Sequence, residues 1–185
     1  MVIGIKRGRV EMVDYEPAWE MLASLITKRL SAVFCETAKG IEHVGSTSIV
    51  GIKAKPIIDI AVAVDDFEAI EPLIPALEMA GFIYKPKGAT EWHRYAVWHD
   101  FKNDKRICNI HIVQTNSPQW HNYVNFRDYL NINLSVAQAY ETLKVRLAAE
   151  NPHDPGREKY LSGKHDFIEQ TLADAEVWKK KQCVQ

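Results

Sequence analysis

Apolar residues first recur at helical spacing at Trp19, Leu22, Ala23, Ile26, Leu30 and Val33, which predicts a long amphipathic helix with Pro17 in its first turn and Gly40 at its end. The pattern then shortens. Residues 41–44 read as a strand leading into the small-residue turn Gly45-Ser46-Thr47-Ser48, and residues 47–55 as a loop with room for one helical turn. Residues 57–64, opened by Pro56, are apolar apart from Asp59, which is the pattern of a central strand covered on both faces. Asp65-Asp66-Phe67-Glu68 then reads as the cap of a second helix, with Phe67, Ile70, Leu73, Ile74 and Leu77 as its stripe and Gly81 as its stop.

Beyond Gly81 the period changes to that of strands, at residues 82–85, 92–99 and 106–114, the last two joined by Lys102-Asn103-Asp104-Lys105 as an antiparallel hairpin. Three helices follow. They open at Ser117-Pro118, at Ser135 with Gln138, and at Asp154-Pro155, and carry apolar stripes that include Trp120, Val124 and Leu130, then Tyr140, Leu143 and Leu147, then Tyr160, Phe167, Ile168 and Trp178. Gly163 inside the last costs roughly 1 kcal/mol relative to alanine, so it marks either close packing or a break. This element order predicts an α/β or α+β fold, with a mixed sheet and the C-terminal helices packed on it.

Length and charge narrow the function classes. With 185 residues and 46% apolar content, the chain suits one domain, residues 1–185, with a single substantial core. A net charge of -1 gives no global basic field toward nucleic acid or anionic membrane, so small molecules are the expected ligands. No apolar run approaches the ~20 residues of a membrane span and the first residues lack a signal-peptide pattern, from which we expect a cytoplasmic protein. The three cysteines have no Cys-x-x-Cys pair; Cys35 and Cys108 are expected to pack as small apolar residues, with Cys183 in a polar tail. Seven histidines occur without paired metal spacing, which argues against zinc.

The chemistry centres on Asp59, because a carboxylate inside an apolar strand must be paired, hydrogen-bonded or metal-bound to stay ionised. A structural role for it, holding the turn amides or pairing with Lys55, stays open. Gly45 allows close backbone approach, and the amides of Ser46 and Thr47 can form an anion nest, or the hydroxyls can simply cap the turn. His111 shares an alternating face with Asn109, and the two could bond each other in the core or face a ligand. Of Glu42 and His43, only one can share the Asp59 face, with the other expected at the surface. Among the basic residues, Lys55 adjoins the key strand, and Arg127 lies among Phe126, Tyr129 and Leu130 on a helix that should pack inward. The aromatics Trp92, Tyr95, Trp98 and Trp120 are expected in the core.

The block IEHVGSTSIVGIKAKPIIDI, together with NIHIV, FRDYL, YETLK and the RxxYxxxKxxFI pattern of residues 157–168, closely resembles the GrpB family of bacterial proteins over residues 10–178. That resemblance implies a fold like that of DNA polymerase beta-type nucleotidyltransferases, in which a Gly-Ser turn precedes a strand bearing catalytic carboxylates. It implies Asp59, Ser46 and His111 as the catalytic set, with Asp59 as the metal ligand if magnesium takes part. Gly45, Thr47, Lys55, Arg127 and the matched positions Arg157 and Lys164 are then implied as ligand-binding groups. A nucleotide or other phosphorylated small molecule is the implied ligand, with nucleotidyl transfer as the further activity; some relatives are fused to dephospho-CoA kinase. Two departures weaken the metal chemistry. The usual second acid, one residue beyond the first but one, is replaced by Ala61, and Asn109 stands where relatives often carry histidine. One carboxylate with one histidine is a poor magnesium site, so a module that keeps the fold without catalysis is the alternative. A hydrolase built on Ser46 and His111 is more remote, since no Gly-x-Ser-x-Gly elbow occurs.

Overall fold

The computed structural model describes residues 2–155 and 158–182. In chain order these form β1 (Ile5–Lys6), α1 (Ala18–Phe34), β2 (Ala38–Val44), β3 (Ile58–Val64), α2 (Ile74–Met79), β4 (Ile83–Tyr84), β5 (Arg94–Asp100), β6 (Lys105–Gln114), α3 (Pro118–Ile132), α4 (Leu134–Glu150), α5 (Glu158–Ser162) and α6 (His165–Gln182). The sheet order is β2-β3-β6-β5-β4, with β1 paired to the first residues of β6. Only β3 and β6 run parallel among these pairs, so the sheet is mixed, as the element order predicts.

The side-chain alternation of β3 divides the molecule. Ile58, Ile60, Val62 and Val64 join Cys108, Ile110 and Ile112 of β6 against Trp19, Ala23, Ile26, Leu30 and Phe34, so the predicted stripe of α1 closes the main core on one face. Asp59, Ala61 and Ala63 point to the other face, in register with Asn109, His111 and Val113. Helix α3 lies across that second face, touching β2, β3 and β6, while α6 packs on α3 and α5 on α4. The C-terminal helices thus form the layer that roofs the polar positions of the sheet.

Several boundaries differ from the pattern reading, each for a local reason. Helix α1 ends at Phe34, where Cys35 adopts φ 45°, and Gly40 lies inside β2 because the Trp120 ring of α3 fills the space above it; a Cβ there would sit 2.8 Å from that ring. Cys35 is exposed rather than packed, whereas Cys108 is buried; Cys183 lies outside the described residues. The second helix begins as a 3-10 segment, Glu68–Leu73, because Pro72 lacks an N–H, and becomes α-helical only over Ile74–Met79. Trp92 is half exposed, not core. The last helix breaks at Gly163, where a Cβ would stand 2.5 Å from Leu147 Cδ2, so close packing and a break occur together.

Candidate functional site

Val44 pairs with Asp59, so the end of β2 delivers the Gly45 turn directly onto the one carboxylate of β3. Gly45 has φ 72°, and a Cβ built on it would lie 2.5 Å from Asp59 Oδ2. Only glycine tolerates both the backbone conformation and that approach. The chain then makes a 3-10 turn, Ser46–Ser48, in which the Ser48 hydroxyl donates to the Gly45 carbonyl at 2.7 Å. Thr47 is fully buried and donates to the Ile57 carbonyl at 3.3 Å, which ties the turn to the start of β3. Ser46 faces the other way, with its hydroxyl 3.5 Å from the Tyr140 hydroxyl of α4. Ser46 therefore borders the site, while Thr47 holds its scaffold.

Asp59 sits in a directional network. The Asn109 amide donates to Asp59 Oδ1 at 2.7 Å, and the Asn109 carbonyl accepts from Arg106 Nη1 at 3.1 Å and from the Tyr95 hydroxyl. Arg106 also donates to the Tyr95 hydroxyl at 3.0 Å. His111 Nε2 lies 3.5 Å from the same Asp59 oxygen, and its Nδ1 lies 3.1 Å from His93 Nε2. Asn109 and His111 therefore serve Asp59 and not each other. Burial by itself would raise the Asp59 pKa, but the His111 imidazole, the Asn109 amide and the charge of Lys55 hold it below the ordinary carboxylate value. The carboxylate is ionised at neutral pH. Tyr123 of α3 caps the His111 ring at a centroid distance of 5.0 Å, and burial pushes its own hydroxyl pKa up.

Of Glu42 and His43, Glu42 shares the Asp59 face, and it meets Arg127 of α3 at 2.6 Å. Arg127 also contacts Asp128 at 2.8 Å and donates to the His43 carbonyl at 3.0 Å. Its guanidinium is engaged by the protein on every side that these contacts define, so it clamps α3 to β2. His43 points to the α1 face, but it is not a surface residue: it is partly buried with Nε2 3.0 Å from Thr47 Oγ1, and burial lowers its pKa to about 4.

The lysines gather instead around two tyrosines on the Ser46 side. Lys55 Nζ and Lys164 Nζ lie 4.2 Å and 4.7 Å from the Tyr160 ring centroid. Lys144, which the pattern reading passes over although it closes the YETLK stretch, stands 4.6 Å over the Tyr140 ring. Arg157 lies outside the described residues. Alternation along β5 could have flagged Tyr95, which is paired with His111, as a member of the site. Nothing in the sequence pattern marks Arg106 or His93.

The donors do not suit magnesium. Among the described residues, no group of three or more His, Cys, Asp or Glu side chains could hold a metal ion. Ala61 offers no oxygen, Asn109 turns its N–H toward Asp59, and a hard cation prefers several oxygen ligands. What the arrangement can do is accept a hydrogen bond from a ligand hydroxyl or amine at Asp59 while the lysines neutralise an anion nearby.

The family model described as GrpB protein matches residues 9–174. The glutamate-rich protein GrpB of Alkalihalophilus pseudofirmus is 32% identical over 92% of this chain and 98% of its own length. A dephospho-CoA kinase of Mycolicibacterium paratuberculosis is 27% identical over 94% of this chain, which spans 48% of that protein. The crystal structure of the conserved protein GrpB from Enterococcus faecalis superposes with a TM-score of 0.81 at 31% identity, covering 91% of this chain and 99% of that one.

Proposed function

The chain belongs to the GrpB family, and from that premise we propose that it binds a phosphorylated small molecule, of which a nucleotide is the leading class. One observation carries the reading: the Gly45 turn is pressed against an ionised Asp59 that feels the charge of Lys55, and Ser46 beside it meets Tyr140, the ring that carries Lys144. Such a site has an acceptor for sugar hydroxyls or an amine at one end and positive charge for a phosphate at the other. The likeness to a nucleotidyltransferase fold and to the mycobacterial dephospho-CoA kinase supports a nucleotide or coenzyme context. Ser46 and His111 do not form a nucleophile and base pair in this reading, because Ser46 meets Tyr140 and His111 meets Asp59 and His93.

Binding without nucleotidyl transfer is favoured by Ala61 and Asn109, which leave Asp59 without an acidic companion on its face of β3 and β6, while Glu42 of β2 is paired with Arg127. We further propose a single domain acting in the cytoplasm, a setting consistent with a helix set in which no described helix is long and apolar enough to cross a membrane. A thermal-shift panel of nucleotides, coenzyme fragments and sugar phosphates, with and without magnesium, tests the reading. A ligand at ~100 times its dissociation constant adds about 2.7 kcal/mol, so a hit is readily visible. A phosphorylated hit that Asp59→Asn abolishes supports it; binding that survives Asp59→Asn unchanged refutes the site.

A further inference from the structure

We propose that Lys144 is the buried cation of a phosphate subsite shared with Lys55 and Lys164, and that filling the subsite drives proton binding at Lys144. The inference rests on the reading that the site takes a phosphorylated ligand, and it adds the residue that anchors the phosphate and makes binding depend on pH.

Lys144 has no exposed surface, yet its ammonium group carries three N–H donors and, among the described residues, has one hydrogen-bond acceptor, the Lys53 carbonyl at 2.6 Å. An amine buried this way is costly to keep charged unless an anion compensates it. Among the described residues its charged neighbours are Lys164, Lys55 and Glu141, two like charges against one acid. Burial first, and then the charge of Lys164, lower its pKa to about 7, with Lys55 acting in the same direction and Glu141 against it. The Tyr140 ring under Lys144 carries the hydroxyl that meets Ser46, so the cluster is continuous with the Gly45 turn. Lys55 and Lys164 are partly exposed and can touch a phosphate, whereas the buried Lys144 acts through its charge. It is a positioning residue. A dianion seated on the two outer lysines favours the protonated form of the inner one, and by linkage affinity rises as pH falls through the Lys144 pKa.

The test is calorimetric titration of AMP and of inorganic sulfate, whose charge is constant, at pH 7.0 and 8.5, repeated at pH 7.5 in two buffers of different protonation enthalpy. Wild-type protein should bind both more tightly at pH 7.0 and take up a fraction of a proton. Lys144→Met should bind AMP about tenfold more weakly at pH 7.0 and lose both the pH dependence and the proton uptake. Lys164→Gln, a change at a partly exposed position, keeps the test alive if the first variant does not fold: it should weaken binding and move the pH midpoint upward, because Lys144 loses a like-charged neighbour. Unchanged AMP affinity and proton uptake in Lys144→Met would overturn the inference while leaving the proposed function intact. Failure of the wild-type protein to bind either probe or any phosphorylated member of the thermal-shift panel would remove both.

Discussion

Gly45 is the residue on which the site geometry turns, since its missing Cβ is what lets Asp59 and the turn share space. Gly45→Ala should destabilise the protein by about 1–3 kcal/mol, through a strained positive φ and a 2.5 Å approach to Asp59 Oδ2. Urea denaturation measures this. His43 supplies a second residue-level test. Its folded pKa of about 4 lies below the unfolded value of 6.5, so the unfolded chain binds the extra proton between those values. Stability should therefore be unaffected by His43 above about pH 6.5 and fall as pH drops toward 4, by up to about 3 kcal/mol. His43→Gln should flatten that part of the pH profile measured by thermal denaturation.

At the scale of elements, α3 is held to the sheet by an ionic clamp as well as by packing. Arg127→Ala leaves Glu42 without its partner and the His43 carbonyl without one of its donors, which should cost about 2 kcal/mol. Once folded, the variant should bind a phosphate ligand within about twofold of wild type, because the guanidinium is held by Glu42, Asp128 and the His43 carbonyl; a large loss of affinity at full stability would return Arg127 to the ligand. This clamp could not be read from the sequence. An arginine among aromatics on an inward-packing helix looks the same whether it meets a ligand or a strand, and only the register of β2, which puts Glu42 on the Asp59 face, decides between them. The elements that were readable are those with a strong period, such as α1, β3 and β6. The others depend on distant contacts: Gly40 reads as a helix stop in the sequence, but Trp120, 80 positions along the chain, accounts for it.

Across the whole molecule, two levels of the design are consistent. Apolar positions of β3 and β6 build the core against α1, and the alternate positions of the same strands carry Asp59, Asn109 and His111 under α3, so one parallel strand pair supplies both the core and the candidate site. The proximity of Asp59, Gly45 and His111 followed from spacing and alternation. The contribution of Lys144 did not, because a single lysine in a helical stripe reads as a solvated face unless its burial is known. The central claim is that a phosphorylated ligand binds here without a metal ion. Isothermal titration of a phosphorylated ligand found by the thermal-shift panel, at pH 8.5 and 7.0 with magnesium or with chelator, tests it most directly. The account predicts equal affinity with and without magnesium and tighter binding at the lower pH; magnesium-dependent binding that is tighter at pH 8.5, or nucleotidyl transfer under those conditions, would contradict it.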